Sequence, residues 1–305
     1  MMRSISIMTC LCIWVQIGYG QKYHQVDTLK TRQGAEHVYL NIKIPVGEVF
    51  MKSSGNCGTS VARLISPEKK LVSDVKVEPV KTGEDKMTFS LKYPGQVAPP
   101  EASQAGANLR LPAPQAPNLP HPPKAYRTEY CPDPDLSTDL FLELGRGGSW
   151  LDLSGMSFQN VYINSAFADL LVSYNKPNQV PMQKMEIQVA NARAVLKHLE
   201  MARAQLISIE NEAGNTKLIL GDRARPGSTI HLKAGVGDCT LIIDKQQPVK
   251  LIVKSGIFSE VEIGEEFSDK GSGTFVNQAF HQNARECVKI YCDVDFGNIT
   301  VMEKQ

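Results

Sequence analysis

Apolar and polar residues alternate along most of the chain, and Ser228–Gly264 shows the repeating unit most plainly. Ile230 and Leu232 lead into Ala234-Gly235-Val236-Gly237-Asp238, after which Leu241 and Ile243 resume the alternation. Leu251 and Val253 then lead through Ser255-Gly256-Ile257 to Val261 and Ile263. A period of two marks a β-strand, and a strand with one apolar face cannot bury it alone, so such units must stack on one another. The same strand–turn–strand unit recurs at Leu140–Leu153, Val161–Val172, Met185–Leu196, Leu206–Leu220 and Val288–Val301. Strand starts near 161, 187, 206, 230 and 251 lie 26, 19, 24 and 21 residues apart. The pattern predicts an all-β chain, a β-solenoid with about 20–25 residues per rung. Its turns fall at Gly47, Asp169, Gly214, Gly235, Gly237, Asp238, Gly256 and Gly297. A final step of 37 residues to Val288 makes Glu265–Arg285 an insertion.

The solenoid is expected over 136–305, behind a small β region at 21–93. There Val38–Ile44, a turn at Gly47 and Val49–Met51 repeat the unit, and Leu71–Pro79 and Met87–Tyr93 flank a turn at Gly83. That region is read as a cap or as the first rungs. Residues 94–135 are read as a linker: nine of the 18 prolines fall between 94 and 124, and proline donates no ladder hydrogen bond. One stretch conflicts with the repeat. Ala190–Leu206 consists of strong helix formers, whereas the repeat register calls for a strand to Leu196 and a single helical turn near 198–203. The register is preferred.

The first twenty residues read as an export signal rather than as fold. Met1-Met2-Arg3 is a short basic start, Ser4–Ile17 is mostly apolar, and Gly18 and Gly20 occupy the −3 and −1 positions of a cut before Gln21. The apolar run is shorter than the roughly 20 residues a membrane span needs. Cleavage near Gly20–Gln21 predicts a secreted or periplasmic protein with no transmembrane segment in the mature chain. It removes Arg3 and no acid, leaving 32 basic against 32 acidic residues. That balance offers no electrostatic case for nucleic acid or for an anionic membrane surface.

Cys57, Cys131, Cys239, Cys287 and Cys292 remain after cleavage, an odd and sparse set unlike a disulfide scaffold. Cys57 and Cys131 lie in Gly- and Pro-rich stretches and form the candidate disulfide. Cys292 aligns with Ala234 between repeats and is read as a buried thiol.

Leu151–Met156 (LDLSGM), Leu199–Ile209 (LEMARAQLISI), Glu212–Gly221 (EAGNTKLILG) and Ala234–Asp238 (AGVGD) together resemble the toast-rack, LiaF-like or adhesin-type β-solenoid domains of bacterial envelope proteins. The likeness covers roughly 140–303. It implies a right-handed solenoid, and some members act in sensing envelope stress. This chain lacks the run of membrane helices that precedes the solenoid in those proteins.

Chemistry is sparse in the sequence. The histidines at 24, 37, 121, 198, 231 and 281 are scattered, no HExxH or GxSxG motif occurs, and His231 is placed on an outward strand position. Asp293–Asn298 and Asp133–Asp135 invite calcium, but lack the ligand repetition a calcium loop requires. Gly145–Gly148 reads as a turn rather than an anion cradle. No metal, cofactor or catalytic residue is therefore assigned. The expected function is an exported, non-enzymatic scaffold presenting a surface in the bacterial cell envelope. Its partner would be an envelope or extracellular protein or glycan, or a second copy docked through the solenoid ends. The alternatives are a carbohydrate-active β-helix enzyme, which would need clustered outward acids, and a component of envelope-stress sensing.

Overall fold

The computed structural model describes residues 25–30, 36–53, 60–66, 72–81, 83–92, 125–130, 136–222 and 227–304. The signal-like segment, Cys57, Cys131, Asp133–Asp135 and the proline-rich residues 94–124 lie outside them. The amino-terminal strands are β1 (Gln25–Lys30), β2 (His37–Val46), β3 (Glu48–Ser53), β4 (Ser60–Ser66), β5 (Val72–Lys81), β6 (Glu84–Lys92) and β7 (Ala125–Tyr130). The middle of the chain forms β8 (Ser137–Asp152), β9 (Phe158–Ser173), β10 (Met182–Asn191), β11 (Ala194–Lys197), β12 (Ala204–Ala213), β13 (Thr216–Leu220), β14 (Thr229–Val236) and β15 (Cys239–Asp244). Then come β16 (Val249–Ser255), β17 (Val261–Ile263), β18 (Phe267–Asp269), β19 (Thr274–Asn277), a short helix α1 (Gln278–Gln282), β20 (Val288–Phe296) and β21 (Ile299–Lys304). All 21 strands of the described residues are hydrogen-bonded into one sheet. The chain is all-β, with strand β7 lying inside the stretch read as a linker.

Two parallel ladders carry the structure. One runs β6–β2–β8–β9–β10–β12–β14–β20–β16 and the other β7–β3–β8–β9–β11–β13–β15–β21–β17, with β8 and β9 long enough to serve both. Leu140, Val161, Met185, Ile207 and Ile230 stand side by side in the first ladder, so successive circuits take 21, 24, 22 and 23 residues. From the second ladder Leu151, Val172, Leu196, Leu218, Leu241 and Val301 join them in one buried core. Burying each such side chain is worth about 1.5–3 kcal/mol, and alternation repeats that gain at every circuit.

The order of the stack differs from the order of the chain at both ends. The carboxy-terminal circuit, β20–β21, lies between β14–β15 and β16–β17 rather than beyond them. At the other end β2–β3 lies between β6–β7 and β8. Sequential stacking, expected from the repeat spacing, is thus corrected: the first circuit, β2–β3, and the last, β20–β21, each fill the penultimate slot at their end. The alignment of Cys292 with Ala234 shifts too. Cys292 stands beside Leu232, and Ala234 beside Val294; a shift of two residues keeps the thiol inward, and it is buried.

The outermost strands are covered in antiparallel fashion by β5 on β6, β4 on β7 and β1 on β4. At the opposite end β19 covers β16 and β18 pairs with β19, both from the Glu265–Arg285 insertion. In the helix-prone stretch, a 3-10 turn at Leu199–Ala202 is bounded by His198 (φ 57°) and Arg203 (φ 56°), both left-handed. Those two residues stop any longer helix, and β11 and β12 keep their places in the ladders.

Candidate binding face

The corner between the two ladders is a column of small residues. Gly47, Gly147, Gly214, Gly237 and Gly297 all have positive φ, from 126° to 137°. A Cβ at Gly237 would lie 2.4 Å from the carbonyl oxygen of Gly214, and one at Gly297 2.2 Å from that of Gly237. Just before the corner, a Cβ at Gly235 or Gly256 would meet the carbonyl oxygen of Glu212 or Asp295, at 2.5 and 2.0 Å. Just after it, acidic and amide side chains tie each circuit to the next. Asp169 Oδ1 accepts the Arg193 N–H, Asn215 Oδ1 that of Asp238, and Asp238 Oδ1 that of Asn298, each at 3.1 Å. Inside the corner, the buried Asn211 amide donates to the carbonyls of Ala192 and Gly214 and to Thr216 Oγ1, at 3.0–3.3 Å. These polar groups are engaged in holding the stack. Asp293, the first acid of the calcium-like run, pairs with Lys254 at 3.3 Å. No cluster of three or more His, Cys, Asp or Glu suited to a metal occurs among the described residues.

Cys239, Cys287 and Cys292 are buried free thiols. Cys239 and Cys292 approach to 3.8 Å across the core, and that contact, with burial, pushes the Cys239 thiol up. Near the 3-10 turn, His198 Nδ1 lies 3.1 Å from Glu200 Oε1, while Oε2 is buried without a partner. Burial raises the Glu200 carboxyl above the usual range, against the opposing pull of backbone N–H groups and His198.

The outward positions of the first ladder form two columns of different chemistry. One is charged: Lys43–Glu143, Glu210–Lys233 and Asp293–Lys254 pair at 2.7, 3.0 and 3.3 Å. Glu210 holds the Lys233 ammonium above its usual value. The other runs Asn41, Phe141, Tyr162, Glu186, Ser208, His231, Tyr291 and Ile252. Phe141 stacks on Tyr162 with centroids 4.8 Å apart, and His231 on Tyr291 at 4.7 Å. These ring pairs flank an open depression of about 580 Å³ lined by Asn160, Tyr162, Lys184, Leu206, Thr229 and His231 among others. Tyr162 and His231 are three strand steps apart, about 14 Å at the usual 4.8 Å spacing. Lys184 reaches 6.0 Å from the Tyr162 ring and 2.5 Å from Glu186, which raises the Lys184 ammonium. His231 is exposed, as its outward strand position predicts. Phe141, Tyr162 and Tyr291 were not singled out in the sequence. Aligning the outward position of each repeat against His231 would have found them.

The second ladder shows a different outer face. Phe50 and Trp150 stack at 4.6 Å, and Leu171, Val195, Ile219, Ile242 and Met302 continue an apolar diagonal to the far end.

No family model matches the chain, and no curated protein does. A solved structure, a candidate cell adhesion protein of Clostridium sporogenes, aligns over 92% of this chain and 98% of its own at 14% identity, with a TM-score of 0.44. No helix among the described residues is long and apolar enough to cross a membrane.

Proposed function

We propose that this chain is an exported, non-enzymatic right-handed β-solenoid of the bacterial cell envelope that binds an extracellular protein or glycan through its first ladder. The parallel ladders support the solenoid reading, and the usual hand of parallel crossovers supports its handedness. Export rests on the signal-like segment Met1–Gly20. One observation carries the binding site: the depression between the Tyr162 and His231 rings, lined by hydroxyl, amide and charged groups of the sheet. Aromatic walls with convergent polar groups suit a ligand that is apolar on its faces and polar at its edges. A non-enzymatic role is favoured because the acids of the first ladder's outward columns, around the depression, already have partners. Glu143, Glu210 and Asp293 pair with lysines, Glu186 with Lys184, and Asp139 with Asn160 and His37. The test is capture of envelope proteins and glycans by the mature chain and by Tyr162→Ala and His231→Ala. Loss of capture in both variants, with unchanged unfolding midpoints, is expected. Capture that survives in both would remove the depression from the function.

A further inference from the structure

The two ends of the stack present four ladder edges, and three carry an antiparallel strand: β5 on β6, β4 on β7 and β19 on β16. The fourth, the outer edge of β17, has no partner strand among the described residues. Its backbone is set for one. The Ile299 N–H donates to the Glu260 carbonyl and the Gly264 N–H to the Val301 carbonyl, both at 2.8 Å. The alternation of a parallel ladder therefore turns the N–H and C=O of Val261 and Ile263 away from β21, toward the open side. Beside this edge stand the most exposed large apolar side chains among the described residues, Ile257 at 96% and Phe258 at 77%, with Val261 at 39%. Phe258 stacks 6.1 Å from Phe296, itself 51% exposed, which extends the apolar corner. Exposed Glu260, Glu262 and Glu265 rim it.

An unpaired edge with apolar flanks is a template for another strand, and its charge selects which. Edge-to-edge pairing of two copies about a two-fold axis would set Glu262 opposite Glu262 of the second copy, with the other glutamates close by. Like charges directly opposite are destabilising. A segment alternating lysine or arginine with apolar residues meets all three features at once: backbone groups at Val261 and Ile263, an apolar shelf at Ile257 and Phe258, and the glutamate rim.

We propose that the outer edge of β17 captures an extended cationic segment of a partner protein by strand addition. The proposal shares with the functional reading only the premise that the chain works by binding, and it uses a surface separate from the Tyr162–His231 depression.

Two fluorescent peptides test it by anisotropy against the full chain, one alternating lysine with valine and one alternating glutamate with valine. The lysine peptide binds and the glutamate peptide does not. Val261→Pro removes an outward N–H without touching the bonds to β21, and weakens the lysine peptide about tenfold, as expected for one or two backbone hydrogen bonds. Glu262→Lys weakens the lysine peptide and admits the glutamate peptide. Tyr162→Ala leaves both unchanged, so failure of the depression and failure of the edge are distinguishable. If Val261→Pro does not fold, Glu262→Lys carries the test alone. Equal binding of both peptides, or binding indifferent to Glu262→Lys or to a folded Val261→Pro, overturns the proposal. So does a dimer of the unliganded chain that Val261→Pro dissolves, which would assign the edge to a second copy.

Discussion

Replacing Gly237 by alanine tests whether close stacking at the corner requires glycine. Two costs add at this position. The backbone sits at φ 133°, which residues other than glycine rarely adopt, and such strain costs about 1–3 kcal/mol. The new Cβ would also stand 2.4 Å from the Gly214 carbonyl oxygen and 2.7 Å from its carbon. Both atoms are backbone of the adjacent circuit, held by the Asn215–Asp238 bond, and cannot swing aside. Forcing a methyl into such a site costs a further 1–3 kcal/mol or so. The expected loss is about 2–6 kcal/mol, a large share of a typical domain stability of about 5–15 kcal/mol. Gly271 is the control: its φ is also positive, at 85°, but nothing lies within 4 Å of a Cβ there. Gly271→Ala should lose only the backbone cost, about 1–3 kcal/mol. Thermal unfolding followed by circular dichroism should show Tm falling by roughly 4–12 °C for Gly237→Ala and about 2–6 °C for Gly271→Ala, the larger loss at Gly237. Equal losses at the two positions would show that backbone conformation, and not the neighbouring circuit, demands glycine. That result would refute the packing argument.

Asn277 Oδ1 accepts the N–H groups of Val249 and Phe280, at 3.1 and 3.2 Å, and its amide donates to the Gln247 carbonyl at 2.8 Å. Asn277→Ala should cost about 3 kcal/mol, with faster amide exchange in β18, β19 and α1 than in β9; uniform acceleration would count against a local tie. Glu200 has its folded pKa raised by burial, so the fold holds its proton more tightly than the unfolded chain does. Stability therefore falls as pH climbs through the unfolded carboxylate value toward the folded one. Between pH 4 and 7 the urea midpoint of the native chain should drop relative to Glu200→Gln, and parallel profiles would contradict this. Phe50→Ala should expose one face of Trp150, shifting its emission to the red and increasing acrylamide quenching. An unchanged spectrum would argue against β3 lying beside β8.

The alternation of apolar residues determined by itself that the chain is built of strands and which side of each is buried. Glycines within the repeats marked several of the corners. The register of Ala190–Leu206 outweighed helix propensity because a helix there would have removed β11 and the start of β12 from both ladders. None of this could set the order of neighbours. Every circuit offers its neighbours the same apolar inward face, so the core does not distinguish β20–β21 placed last from β20–β21 placed between β14–β15 and β16–β17. Contacts at the corner and on the outer surface accompany that choice: Asp238 to Asn298, His231 on Tyr291 and Asp293 to Lys254. These are single pairings between distant residues, and no periodicity records them. The depression between Tyr162 and His231 and the open edge of β17 are products of the same order. Periodicity is a local property of one strand, whereas a ring stack or an unpaired edge belongs to two strands that only the tertiary structure brings side by side or leaves apart.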